Sequence, residues 1–184
     1  MGGKVRPIII TTSRRPSPRT RSLVKDLVRV IPSATRITRG HLTMEELARD
    51  AILLGANRVA IIGERRGNPS IIRFYEPRTS PLSLGNIATI LIRGVTLARE
   101  AGNTYPPANI KILSVQPDPT DLTEELAEAL LVALNARIGD KGDVVAKLEY
   151  RNGEALLYFT YKGRSVGPRL RVAKPRNPLK VAET

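Results

Sequence analysis

Three arginines, Arg14, Arg15 and Arg19, stand close together in TTSRRPSPRTRSLVKDLV (residues 11 to 28), where an apolar helical pattern begins. Guanidinium groups are planar, permanently charged donor forks. The first turn of a helix adds unpaired backbone N–H groups and the positive end of the macrodipole. Together they suit an anion, above all a phosphate. Chemistry beyond binding has few candidates. His41 is the single histidine and cysteine is absent, which excludes two-histidine and thiolate metal sites. His41 itself lies in the polar stretch TRGHLT and reads as a solvated loop residue. No G-x-x-x-x-G-K-[ST] or G-x-G-x-x-G loop occurs, and GERRGNPS lacks the lysine and the following helix of a phosphate loop. Asp118, Asp121, Glu124, Glu125 and Glu128 fall in the first turns of a helix, where they complement the macrodipole without a metal. The expectation is no catalytic residue, no metal, no cofactor and no small-molecule substrate.

The charge distribution points the same way. The 184 residues carry a net charge of +13, with arginine outnumbering lysine 22 to 8. Residues 1 to 100 hold 18 basic against 7 acidic side chains, residues 101 to 142 hold 3 against 6, and residues 143 to 184 hold 9 against 4. Two basic segments flanking an acidic one suit a polyanion partner. No apolar run reaches the roughly 20 residues of a membrane span, and no basic helix carries Trp or Phe anchors. The absence of cysteine and of a secretory leader pattern leads to the expectation of an intracellular protein.

The elements that must position these groups follow from periodicity. VRPIIITT (5 to 12) reads as a buried strand, followed by a helix with Ser17 as N-cap and Pro18 at its first position. Leu23, Val24, Leu27, Val28, Val30 and Ile31 give that helix an apolar face, and Arg21, Lys25 and Arg29 a cationic one that serves either function or solubility. ATRIT (34 to 38) alternates like a strand, and Thr43 with Glu46 forms a capping box for a helix ended by Gly55. RVAIIGE, the turn RRGNP and SIIRFYE make a hairpin. The first half is therefore β-α-β-α-β-β, with further strand pairing in SLGNIATILIRG and a short helical piece near residues 96 to 100. After the connector GNTYPPAN come a strand in IKILSV, a helix through Leu122, Leu126, Ala129, Leu130 and Ala133, a hairpin around RNG, and a strand in RSVGPRLRVA. Pro16-Ser17-Pro18 and Pro117-Asp118-Pro119 look alike, as if a capping residue preceded a proline in each of two duplicated halves.

Further basic groups gather at predicted turns: Arg65 and Arg66 in the first hairpin, and Lys162, Arg164, Arg169 and Arg171 around GPR. Tyr158, Phe159 and Tyr161 alternate along a strand, so some pack inward while an exposed ring is available for base stacking.

ITTSRRPSPRTRSLVKDLVRVIPSATRITRG, ERRGNPSIIRFYEPRTSPLSLGN and GRSVGPRLRV, in this order over roughly residues 5 to 173, resemble the signatures of the Brix-domain ribosome-biogenesis proteins, in a compact archaeal form. The resemblance implies an α/β (α+β) fold of two tandem pseudo-repeated halves similar to anticodon-binding domains of aminoacyl-tRNA synthetases. The halves would span 1–101 and 110–174, with a connector at 102–109, a tail at 175–184 and a shortened second half. It further implies a non-enzymatic factor in rRNA processing and subunit assembly, partnered by ribosomal RNA and by other assembly proteins, in the cytoplasm (or the nucleolus of a eukaryotic source). By position, Arg14, Arg15, Pro16 and Ser17 match the opening motif, Arg65, Gly67 and Pro69 the middle one, and Gly167, Pro168 and Arg169 the last. Leu170 departs from the aromatic common at its position. The expected RNA contacts are Arg14, Arg15, Arg19, Arg21, Arg65, Arg66, Lys162, Arg164, Arg169 and Arg171. A protein scaffold with secondary RNA contact is the alternative.

Overall fold

In the computed structural model, residues 6–174 are described. The tail at 175–184 and residues 1–5 lie outside them. In chain order the elements are β1 (Ile8–Thr12), α1 (Pro18–Val30), β2 (Ala34–Arg36), α2 (Met44–Leu53), β3 (Arg58–Arg65), β4 (Asn68–Thr79), β5 (Leu82–Thr96), α3 (Ala98–Ala101), β6 (Leu113–Pro117), α4 (Asp121–Ala133), β7 (Arg137–Ile138), β8 (Val144–Arg151), β9 (Glu154–Tyr161) and β10 (Arg164–Ala173). The strands form one sheet in the order β2-β1-β3-β4-β5-β10-β9-β8-β6-β7.

The sheet is a mixed α/β arrangement with the same pairing in each half. β1 lies parallel to β2 and β3, and β6 lies parallel to β7 and β8. Antiparallel pairing continues through β3, β4 and β5 in the first half and through β8, β9 and β10 in the second. β5 and β10 then pair antiparallel and close the two blocks into one sheet. β5 is a 15-residue strand, because it pairs with β4 along its first part and with β10 along its last. The first half thus carries one strand more than the β-α-β-α-β-β pattern.

Local chemistry explains the joints. Ser17 caps α1 by accepting from the Thr20 N–H, and Thr43 and Glu46 form the capping box of α2. Arg66-Gly67, Asn152-Gly153 and Lys162-Gly163 have φ between 48° and 83°, the left-handed pair of a type I′ hairpin turn. α1 buries Leu23, Val24, Leu27 and Val30, each worth roughly 1.5–3 kcal/mol when fully removed from water. They pack with α4 residues Leu126, Leu130 and Ala133 on one face of the sheet, over Ile8, Ile62, Phe74, Phe159 and Leu170. α2 covers part of the opposite face through Leu47 and Ala51 against Ile9, Val59 and Ile61.

The connector is tied down. The Gly167 N–H donates to the Thr104 carbonyl at 2.9 Å, and the Asn103 side chain donates to the Gly167 carbonyl at 2.9 Å. Tyr105 donates to buried Asp26 at 2.6 Å. Gly167 has φ +64°, and a Cβ there would stand 2.4 Å from Val30 Cγ1, so this glycine lets α1 approach β10.

Candidate nucleic-acid interface

Register decides where the predicted arginines go. β1 and β3 run the same way, so the β1–α1 joint and the Arg66-Gly67 turn share one rim of the sheet. β5 ends on that rim, β10 begins there, and the Lys162-Gly163 turn lies on it as well. Arg14, Arg15, Arg65, Arg66, Lys162, Arg164 and Arg169 therefore mark one rim. From β1 to β10 it spans four strand spacings, roughly 20 Å, and follows the sheet's twist as a curved track. Arg15, Arg65, Arg66, Arg164 and Arg169 are exposed and form no ion pair among the described residues.

The β6–α4 joint lies on the opposite rim, because β6 runs with β8 and antiparallel to β9. There Asp118 accepts from the Tyr150 N–H at 2.9 Å, and Thr120 caps α4. The resemblance between Pro16-Ser17-Pro18 and Pro117-Asp118-Pro119 is thus a misalignment. Ser13 N–H donates to Ile62 O, and Asp118 N–H to Leu148 O, at corresponding places in the two ladders. Ser13 matches Asp118, the N-cap Ser17 matches Thr120, and the first joint is longer by two residues in the stretch that carries Arg14 and Arg15.

The anion at the α1 N-terminus is the protein's own. Glu64 Oε2 accepts from the Ser17 N–H at 2.9 Å and from Thr20 Oγ1 at 2.5 Å. Burial pushes the Glu64 carboxyl up, but the bonds from Thr20 and Ser17 outweigh it and hold the group below the ordinary carboxylate range. A phosphate does not occupy this position while Glu64 does. Arg19 is also committed, in a two-pronged pair with Glu100 at 2.5 and 2.9 Å and a 2.7 Å bond to the Val95 carbonyl. That bond from Arg19, with a second from the Leu97 N–H, lowers the Glu100 carboxyl to about 2. Arg19 ties α1 to the end of β5 and to α3, which sequence spacing could not reveal because Glu100 is 81 residues away.

Arg21 donates to the Pro16 carbonyl at 3.0 Å and remains exposed. Arg171 donates to the Arg93 carbonyl at 3.1 Å and pairs with Glu154 at 3.3 Å, with its guanidinium over Gly94. The late motif divides in role. Gly167 and Pro168 are buried in a β-bulge between Val166 and Arg169, while Arg169 stands out on the rim. Leu170 is 0% exposed, so a side chain at 170 packs in the core and offers nothing for stacking. Phe159 is likewise buried. Tyr158 takes the other face and donates to Glu149 at 2.5 Å. Burial first, then this carboxylate, pushes its hydroxyl up to about 12.

Sequence reasoning missed two cations beside the rim. Arg73 and Arg93 join Arg65 around a groove of about 720 Å³ that Ile71, Leu91 and Glu64 also line. Both interrupt buried strand runs at alternate positions, in SIIRFYE and TILIRGV, which was the available signal. Three arginines beside apolar side chains, with the Glu64 carboxylate engaged by Ser17 and Thr20, suit a chain of phosphates and planar bases. Among the described residues no group of three or more His, Cys, Asp or Glu side chains could hold a metal. No described helix is long and apolar enough to cross a membrane.

No family model matches the chain. Individual proteins do. A protein of Aeropyrum pernix, named a probable Brix domain-containing ribosomal biogenesis protein, is 44% identical over 176 residues, covering 93% of this chain and 97% of that one. The chain belongs to the Brix-domain family of ribosomal biogenesis proteins. A crystal structure of a probable ribosomal biogenesis protein from Aeropyrum pernix K1 superposes with a TM-score of 0.87 at 43% identity, covering 94% of this chain and 98% of that one. A crystal structure of an archaeal Imp4-like protein has a TM-score of 0.66 at 22% identity and covers 90% of this chain and 97% of that one. This last likeness concerns the fold alone. Brix-domain membership supports a role in ribosome biogenesis.

Proposed function

We propose that this Brix-domain chain is a non-enzymatic assembly factor that binds ribosomal RNA and acts in rRNA processing and subunit assembly. The RNA backbone follows the rim marked by Arg14, Arg15, Arg65, Arg66, Lys162, Arg164 and Arg169, with the Arg65, Arg73 and Arg93 groove beside it. The observation that carries this reading is the gathering of exposed cations from three separate turns onto one rim, with the acidic joint on the other. Exposed arginines along a track suit a phosphate chain and give binding that weakens with salt. Arg19 and Arg171 stand outside the main contact set, because their guanidinium groups already have partners.

Photocrosslinking of the full chain to ribosomal RNA, followed by mapping of the modified peptides, tests this. Adducts are expected in residues 13–16, 65–67 and 161–164. Adducts confined to residues 118–128, or none at all, would overturn the reading. The scaffold alternative draws support from Leu53 and Leu54, which are 77% and 53% exposed at the C-terminal end of α2. Partners retained on the chain after RNase treatment would favour it.

A further inference from the structure

β1 and β2 are parallel neighbours whose C-terminal connections leave toward opposite faces, β1 into α1 and β2 toward α2. Such a switch point opens a crevice at the carboxyl ends of the strands, a recurrent place for ligands in α/β sheets. Here it is a pocket of about 260 Å³ lined by Arg15, Arg21, Arg36 and Arg39, with Thr12, Thr38 and the backbone of Gly40 between them, and no acidic residue lines it. Its walls are held in place. Thr11 Oγ1 donates to Ile37 O at 2.7 Å, and Arg14 reaches the His41 carbonyl at 3.4 Å.

Arg39 sets this crevice apart from an ordinary basic surface. It is only 7% exposed, yet its Nε has no hydrogen-bond partner. Its terminal nitrogens have only long contacts, 3.5 Å to the Thr43 carbonyl and 3.6 Å to Met44 Sδ. Glu46 acts on it through space without a hydrogen bond and is engaged in the α2 capping box. A buried cation without a counterion is strongly unfavourable. Burial, and then the nearby Arg14, lower the pKa of the Arg39 guanidinium from its ordinary value.

We propose that this crevice seats a single phosphate group, bound by Arg39 from within and by Arg15, Arg21 and Arg36 from the mouth. Four guanidinium groups with no carboxylate match a phosphomonoester dianion better than the single charge of a diester link. The group is therefore the terminal phosphate of an RNA strand, an assignment of source that rests on the RNA reading above. The anion site itself stands on the crevice alone.

The test uses the full chain and inorganic phosphate at constant ionic strength. Phosphate at about 100 times its Kd raises the wild-type Tm by roughly 5–10 °C. Arg39→Met abolishes that shift and leaves the phosphate-free Tm equal or higher, since it removes a buried charge that had no partner. Equal shifts in both proteins, or none in the wild type, would overturn the proposal. Should Arg39→Met fail to fold, Arg15→Ala/Arg36→Ala alters two exposed residues and is expected to weaken phosphate binding at least tenfold; unchanged binding would overturn the site. The source is read from one RNA fragment with and without a terminal phosphate, alongside AMP. Preference for the phosphorylated end, lost in Arg39→Met, supports the RNA assignment. Phosphate and AMP binding without any RNA binding keeps the pocket and removes the RNA reading. RNA binding with no response to phosphate keeps the RNA reading and removes the pocket.

Discussion

The β1–α1 and β6–α4 joints occupy matching places in two blocks with the same strand pairing, and they solve the same problem in opposite directions. In the first, the strand reaches to the joint, with Glu64 of β3 accepting from Ser17 and Thr20. In the second, the joint reaches to the strand, with Asp118 accepting from the Tyr150 N–H of β8. Glu64 and Tyr150 lie two residues beyond the matched positions Ile62 and Leu148. Placing the carboxylate on the strand frees the first joint to carry cations. The two extra residues there, with Arg15 held at φ 54°, lift Arg14 and Arg15 onto the rim. The second joint is short and acidic and holds itself together. One topology therefore supports an exposed cationic rim at one end and a structural corner at the other.

Substitution at Glu64 should give the largest loss of stability. Glu64→Ala leaves the Ser17 N–H and the Thr20 hydroxyl without their acceptor and is expected to cost about 2–3 kcal/mol in chemical unfolding. Asp118→Ala, which removes a more exposed bond, should cost about 1 kcal/mol. Equal losses would break the contrast between a strand-capped and a self-capped joint. The helix caps themselves should behave alike, with Ser17→Ala and Thr120→Ala each costing about 1 kcal/mol, which checks the alignment of Ser17 with Thr120.

The smallest effect concerns acid. Glu100 sits at about 2 instead of 4.5. A depressed carboxyl adds stability that is complete above its unfolded value and is lost as pH falls through the folded one. Stability should therefore decline between about pH 4.5 and 2, and Glu100→Gln should flatten that part of the Tm profile. The effect is modest because the Arg19 and Glu100 side chains remain 33% and 35% exposed. The second joint has no counterpart to this pair among the described salt bridges.

Much of this was legible in the sequence. Capping residues, periodicity and Gly-containing turns are local signals, and they located α1, α2, the hairpins and the arginine-bearing turns. What escaped depends on contacts distant along the chain. Glu64 filling the α1 N-terminus and Glu100 taking Arg19 require β3 and α3 to be placed against α1. The likeness of the two Pro-containing joints was a coincidence of composition, corrected only by the ladder bonds from Ser13 and Asp118. Arg39 stands in the polar stretch TRGHLT, and only the fold buries it. The rim emerged from register, since strand order decides which turns are neighbours.

The central claim is that the first rim, and not the second joint, carries the RNA. Its most direct test is the salt dependence of binding to ribosomal RNA fragments for the wild type, for Arg14→Ala/Arg15→Ala/Arg65→Ala/Arg66→Ala, and for Asp121→Ala/Glu124→Ala. The rim variant should bind roughly 100-fold more weakly at physiological salt, with a log–log slope shallower by about 3, while the second-joint variant stays within about twofold of the wild type at the same slope. An unchanged slope in the rim variant would contradict the account.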